Sequence, residues 1–406
     1  MIQHASGGEQ SKGSRGGDCQ SFNKSPEPTV GSESELPILA RDSGELSPGS
    51  PRLLAACRDE GIEGTSAELM QSMIEVRTDT CATVTQARDM LMSRLRRVRN
   101  IATSMGYDLA LLGTHPSAKA TEHVLFPDDR YAMGEKRLAW MIYHRVTFGL
   151  HVHIGVRSGD EAIGLINMLV QYLPHVLAMS ANSPFWQGID TGLASARAAL
   201  YGLVPHAGVP RNFENWKEFR GYCQTMHDCK VLRSHKDIKW DIRPRADLGT
   251  IEFRICDMPG TMSQVFGIAA LLRSLVIFAQ RLLEHKPHLR AGDVRRQWIA
   301  VENKWLATRF GLEAVYISAP GGRRKSLRQE VNDLINKLMP IASEHGDEAI
   351  LRKLSPIEKY RGGAERQRRI YREEGRWQSI TTSLARQLAE EIEQHRARQV
   401  KQQGGA

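Results

Sequence analysis

Gly31-Ser32-Glu33-Ser34-Glu35-Leu36 is the stretch on which the reading of this chain turns. Glu33 and Glu35 stand one residue apart, so in a β-strand both side chains leave the same side of the sheet. Four further stretches repeat the device. They are Ile74-Glu75-Val76-Arg77, Leu150-His151-Val152-His153-Ile154, Trp240-Asp241-Ile242-Arg243 and Ile251-Glu252-Phe253-Arg254-Ile255. Each sends its charged or imidazole pair to one face and its apolar residues to the other. If the five share a sheet, one wall carries Glu33, Glu35, Glu75, Asp241 and Glu252 beside His151, His153, Arg243 and Arg254. Stability does not call for such a wall. It describes a place that binds hard cations together with something anionic.

The 406 residues suffice for one large domain or two ordinary ones, with 41% apolar residues to fill a core. The formal charge of +9 invites a nucleic-acid reading. Much of the excess, however, sits in C-terminal runs such as Arg366-Gln367-Arg368-Arg369, and no recognition module accompanies it. A basic rim around a nucleotide and carboxylate site explains the balance as well, so no nucleic-acid partner is expected. Six cysteines without framework spacing and a polar N-terminus with no signal-peptide core point to a reducing cytoplasm. The apolar stretches 162–181 and 265–283 are broken by Gln171, Pro174 and His175, and by Arg273 and Gln280. They read as buried helices, not membrane spans.

Along the chain, residues 1–28 are rich in Gly and Ser and read as a disordered polar tail. Residues 29–377 form the main domain, and residues 378–406 a final helix and tail. Val30–Ala40 reads as a strand. Thr83 or Thr85 caps a helix carrying Ala87, Leu91, Leu95 and Val98 that ends near Gly106. A short strand is expected over Leu109–Leu112, and a helix opening at Asp160. Another helix spans Met262–His285. Leu384, Leu388 and Ile392 form a stripe that docks on the body or on a second subunit, which leans toward a homodimer. Antiparallel hairpins separated by long helices predict an α+β fold.

Glu33 and Glu35 lie about 7 Å apart along their strand, a spacing that suits carboxylates gripping one or two Mg²⁺ ions. An ordinary solvent-facing strand also carries Glu-x-Glu. His151-x-His153 is a familiar zinc arrangement, which makes a zinc-dependent hydrolase the natural competitor. Glu252 and Arg254 read either as a cross-strand ion pair or as a metal ligand beside a bidentate phosphate contact. Asp241 and Arg243 invite the same two readings. Cys223, His227 and Cys229 lack a fourth ligand with convincing spacing.

In order along the chain, these residues resemble the carboxylate–amine ligases of the type 2 glutamate–cysteine ligase group, relatives of glutamine synthetase. The resemblance runs through Gly31-x-Glu33-x-Glu35, Glu68 with Glu75, Gly113-Thr114-His115-Pro116 and Gly149-Leu150-His151-Val152-His153-Ile154-Gly155. It continues in Ser183-Pro184-Phe185-Trp186-Gln187-Gly188, Trp240-Asp241-Ile242-Arg243-Pro244, Gly249-Thr250-Ile251-Glu252-Phe253-Arg254-Ile255-Cys256-Asp257 and Glu302-Asn303-Lys304-Trp305. It implies a cupped antiparallel sheet flanked by helices that holds ATP and Mg²⁺, or Mn²⁺. Glu33, Glu35, Glu75, His151 and Glu252 would face the metal. Arg254 would contact the phosphate and act with Glu252 in catalysis. Arg197, Arg243, Asp241 and His153 would bind substrate. Ser32 and Ser34 depart from the more apolar or acidic residues associated with that strand. The activity implied is ATP-dependent amide formation through an acyl phosphate, from a small carboxylate such as glutamate and an amine such as cysteine. A non-catalytic nucleotide-binding relative is the remaining alternative.

Overall fold

The structure is a computed structural model that describes residues 21–285, 297–319 and 322–403. Most of the expected tail (residues 1–20) and the last three residues lie outside the described residues. Seven strands make the central sheet: β1 Val30–Ala40, β2 Thr65–Ala67, β3 Met73–Arg77, β4 Tyr107–Leu109, β5 Gly149–Gly155, β6 Ile242–Arg245 and β7 Thr250–Asp257. Their order is β6-β7-β5-β1-β3-β2, with β4 pairing the far end of β1, and every pairing is antiparallel. The fold is α+β, an antiparallel sheet flanked by helices.

The alternation seen in the sequence sorts the two faces. Leu36, Ile74, Val76, Leu150, Val152, Ile154, Ile251 and Phe253 are all buried and join the main core. The helices Val84–Ser104, Gly159–Leu169 and Met262–His285 cover that side. The first is capped by Thr83, whose side chain accepts the Gln86 N–H at 3.2 Å, and it gives way to Gly106 at φ +82°. The next helix begins at Gly159, one residue before the expected start, and Ser158 caps it. The helix Met262–His285 carries one buried cation, Arg273. Its guanidinium donates to Asp347 at 2.6 Å and to the Pro28 carbonyl at 2.7 Å, tying the start of β1 to the helix layer.

Two helices, Gly159–Ser180 and Met262–His285, are long and apolar enough to cross a membrane, and 83% of each apolar window is buried inside the protein. The Leu384, Leu388 and Ile392 stripe is also buried, packed on its own chain. It therefore leaves no apolar seam there for a second subunit. The short strand falls at Tyr107–Leu109 and not at Leu109–Leu112, and there it pairs with Ile38–Ala40 at the end of β1.

Asp241 departs from expectation. The strand predicted through Trp240-Asp241-Ile242-Arg243 is broken at this residue. Lys239–Trp240 pairs in parallel with Ala207–Gly208, and β6 begins only at Ile242. The Asp241 carbonyl accepts from both Arg254 N and Ile255 N, a bulge that turns its side chain out of line with Arg243.

Candidate active site

Strand register assembles the site. Glu33 stands opposite His151, Glu35 opposite Glu75, and Glu252 opposite both His153 and Arg243. Paired residues share a face, so one wall carries these seven side chains and Arg254. His151 Nδ1 lies 3.1 Å from Glu33 Oε2, and His151 Nε2 lies 3.5 Å from Glu35 Oε1. His153 Nε2 is 3.2 Å from Glu33 Oε1, while its Nδ1 meets Thr250 Oγ1 at 3.0 Å. Glu35 Oε2 also accepts the Gly149 N–H at 2.5 Å, which fixes its rotamer against β5.

The wall is electrically split. On the β3–β1 side, Glu75 meets Glu35, Glu33 and Glu68 with few cations between them. Burial first, then repulsion from Glu33 and Glu68, holds the Glu75 carboxyl well above the usual range. Ser66 Oγ donates to it at 2.7 Å. Burial and the nearby Glu35 raise Glu68 to about 7, and Glu68 and Glu75 are hydrogen-bonded to one another.

On the β7–β6 side the sign reverses. Glu252 is fully buried, and three guanidiniums enclose it. Arg243 Nε lies at 2.7 Å, Arg245 Nη1 at 3.3 Å, and Arg254 Nη1 bonds its other oxygen. Burial works to raise this carboxyl, but Arg243 and Arg254 outweigh it and hold it well below the usual range. Glu33 is likewise held low, by His153 and by hydrogen bonds from both histidines that overcome burial. Beyond Arg254, the Tyr201 hydroxyl accepts from Arg254 Nη2 at 2.9 Å. The cations Arg254, Arg145 and Lys239 draw the phenol down to about 7 against its burial. Lys239 is itself lowered to about 7 by burial and by Arg243 and Arg254.

Among the described residues, Glu33, His151 and Glu252 form a group whose ligand atoms all lie within 4.8 Å of one another. Burial and Arg254 lower His151, so its imidazole is neutral near neutral pH. With the proton on Nδ1 toward Glu33, Nε2 keeps a lone pair. That atom is buried and has no hydrogen-bond partner.

Glu33, Glu35, Glu75, His151, His153, Glu252, Arg243 and Arg254 thus meet on one wall. Asp241 instead carries its carboxylate to Lys304, whose Nζ lies 2.7 and 2.9 Å from its oxygens. Arg197 is buried over Gly149, and its Nη atoms donate to the Arg254 and Ile255 carbonyls at 3.3–3.4 Å. Its hydrogen bonds go to the backbone. Cys223 is buried, Cys229 is exposed, and His227 pairs with Asp228, so the three form no metal group.

Residues 29–395 match the sequence family described as glutamate–cysteine ligase family 2. The chain belongs to this family. As a member it is an enzyme, a carbon–nitrogen ligase. A protein of Thermobifida fusca is 37% identical over 371 residues, covering 90% of this chain and 92% of that protein. One of Gloeobacter violaceus is 35% identical over 370 residues, covering 91% and 99%. Both carry the name "putative glutamate–cysteine ligase 2". The fold of the family member is shared with a glutamate–cysteine ligase of Francisella tularensis solved in complex with AMP. The TM-score there is 0.65 at 11% identity, covering 91% of this chain and 90% of that one. A bifunctional glutathione synthetase of Pasteurella multocida gives 0.64 at 14% identity, covering 91% of this chain and 53% of that one.

Tyr201, Arg145, Lys239 and Arg245 were not predicted as site residues. The alternation offered one signal for two of them. Charged residues continue at 239, 241, 243 and 245, beyond both ends of the quoted stretch. Arg145 closes a 3₁₀ turn (Ala139–Arg145) and Tyr201 a six-residue helix, where no strand period marks a face.

Proposed function

We propose that this ligase joins the γ-carboxylate of glutamate to the amine of cysteine, using ATP and Mg²⁺. The observation that carries the reading is the split wall, with carboxylates on β3 and β1, guanidiniums on β7 and β6, and imidazoles between. A metal-bound triphosphate has the complementary polarity, cations on one side and phosphoryl oxygens on the other. The donor set fits a hard dication. Oxygen donors predominate, and the repulsion that lifts Glu75 is what a bound cation would relieve. Glu33, Glu35 and Glu75, with His151 and Glu252, would hold Mg²⁺, and Mn²⁺ suits the same oxygens. When bound, the metal neutralises phosphate charge.

The chemistry follows from what a free carboxylate lacks. The γ-carboxylate oxygen attacks the terminal phosphorus of ATP, the bond to ADP breaks, and an acyl phosphate forms. The amine then attacks the acyl carbon, loses a proton and expels inorganic phosphate, leaving an amide. No nucleophilic side chain is needed. Arg254 contacts the transferring phosphoryl group, and Glu252 with Tyr201 fixes its guanidinium in place. The zinc-hydrolase reading is less favoured, since His153 turns Nδ1 to Thr250 and Nε2 to Glu33, so the two histidines do not offer a pair of free nitrogens to one ion. A reducing, cytoplasmic setting accords with the five free cysteines of the described residues.

The test is ADP release with Mg²⁺, ATP, L-glutamate and a panel of amines that includes L-cysteine. Release that needs glutamate and one amine is expected and names the amine. Release with glutamate alone would mean that the panel lacks the true amine. ATP binding without release across the panel would overturn the reading in favour of a non-catalytic relative.

A further inference from the structure

The strand that carries Glu252 and Arg254 breaks step in the middle of the wall. Along β7, Phe253 stands opposite Val152 and Cys256 opposite Leu150. Arg254 and Ile255 therefore share the place across from His151, and neither has a register partner on β5. Their backbone groups are met from elsewhere. Both N–H groups donate to one acceptor, the Asp241 carbonyl, at 2.8 Å from Arg254 and 3.2 Å from Ile255. Both carbonyls accept from one donor, the Arg197 guanidinium, at 3.3–3.4 Å. Arg197 is itself enclosed, with its guanidinium 5.3 Å from the centre of the Tyr201 ring. The place of the Arg254 side chain thus depends on two residues outside its own strand pairing.

Asp241 falls between two short pairings, and two contacts hold it there. Its N–H donates to the Gly208 carbonyl at 2.8 Å, and its carboxylate oxygens lie 2.7 and 2.9 Å from Lys304 Nζ. Lys304 comes from the helix Gln297–Phe310. Just before it, the Asn303 side chain exchanges two hydrogen bonds of 2.8 Å with the backbone of Ile317, which fixes that turn of the helix. Asp241 is buried, and the Lys304 side chain is only 14% exposed. A buried ion pair is often no better for stability than an apolar pair of the same shape, because desolvation of both charges offsets their attraction. Stability alone gives little reason for this one. We infer that Lys304 and Asp241 are positioning residues for Arg254. The ion pair anchors the carbonyl on which the bulge hangs, and the bulge aims the guanidinium at Glu252 and Tyr201. The inference rests on the ligase reading above, in which Arg254 contacts the transferring phosphoryl group. Arg254 Nε is buried without a partner. It is the donor nearest the backbone, so a shift of the peptide moves it directly. Neither Lys304 nor Asp241 takes part in bond making.

The experiment measures ADP release with ATP, Mg²⁺, L-glutamate and the amine panel. Lys304→Met alone would leave a buried carboxylate unpaired, so Asp241→Asn is combined with it and neither charge remains. The double variant should lower kcat roughly 10- to 100-fold, with the KM for ATP and for glutamate unchanged. Lys304→Arg, which keeps the ion pair, should retain most of the rate. A pair that acts through Arg254 has nothing left to position once Arg254 is replaced. In an Arg254→Lys background the double substitution should therefore cost no further rate. The same loss in both backgrounds, a wild-type kcat in the double variant, or a raised KM in place of the lowered kcat would overturn the inference. Ligand-free crystal structures separate this from failure of the ligase reading. If the wild type releases no ADP but Arg254 leaves Tyr201 in the double variant, the positioning stands and the ligase reading falls. Arg254 unmoved in the double variant removes the positioning, whatever the activity.

Discussion

Replacing Glu75 with Gln is expected to make the metal-free enzyme more stable while abolishing its activity. Glu75 stands directly across from Glu35, with Glu33 and Glu68 close behind. At an effective dielectric near 20 and a cross-strand separation of about 5 Å, one such neighbour costs roughly 3 kcal/mol. Much of this is relieved at neutral pH by the protons that Glu75 and Glu68 retain. The net gain from Gln is therefore about 1–2 kcal/mol, read in a chain of 406 residues as a rise in Tm of roughly 1–2 °C. Gln keeps an oxygen for the Ser66 hydroxyl, so no hydrogen bond is sacrificed. The pH dependence carries the sign. A carboxyl raised in the folded state costs nothing below its unfolded pKa of about 4.3, and the cost grows as pH climbs toward the folded value. The variant's advantage should therefore be small near pH 5 and larger near pH 8. Adding Mg²⁺ should reverse the order, because a ligand at about 100 times its Kd stabilises the wild type by about 2.7 kcal/mol. Differential scanning calorimetry across pH, with and without Mg²⁺, measures all of this. A variant less stable without metal, or one that gains from Mg²⁺ as the wild type does, would refute the account of the acidic half.

Glu68, raised to about 7, must lose its proton as a cation enters beside it. Mg²⁺ affinity should thus rise with pH up to and just beyond that value, and calorimetry in buffers of different ionisation heat should detect proton release. Ser34→Ala should stabilise the protein by about 1 kcal/mol in urea unfolding, because its hydroxyl is buried without a partner. Its turnover should not change, since Glu33 and Glu35 leave the opposite face of β1. Gly149→Ala should cost about 2–3 kcal/mol in the same measurement, because a Cβ there would come 2.1 Å from Arg197 Nη2.

What the sequence revealed followed the reach of a two-residue period. β1 fell at Val30–Ala40 as read, and the alternation placed Glu33, Glu35, Glu75, His151 and Glu252 on one wall before any register was known. The period failed where the backbone stops being regular. Asp241 sits at a bulge, so its i+2 relation to Arg243 does not hold, and its carboxylate reaches Lys304 instead. Arg197 looked free in sequence because nothing local shows that its guanidinium is spent on the carbonyls of β7. Arg145 and Tyr201 enter from a 3₁₀ turn and a short helix, where proximity to the wall is settled only by long-range packing. The stripe at Leu384, Leu388 and Ile392 was visible, but which surface it covers depends on distant residues.

The anchoring of β1 limits how the gene for this chain can change. Arg273 grips the Pro28 carbonyl before the strand, and the Thr78 hydroxyl accepts the Ser32 N–H within it. Between these clamps and the pairing at Ile38, insertion or deletion of a single codon would exchange odd for even positions. Glu33 and Glu35 would turn into the apolar layer, and the serines and Leu36 would face the wall. A two-codon change would restore the parity but displace both carboxylates by about 7 Å, past their partners on β3 and β5. Point substitution therefore remains the open route for variation in β1, while changes of length are confined to the loops around it.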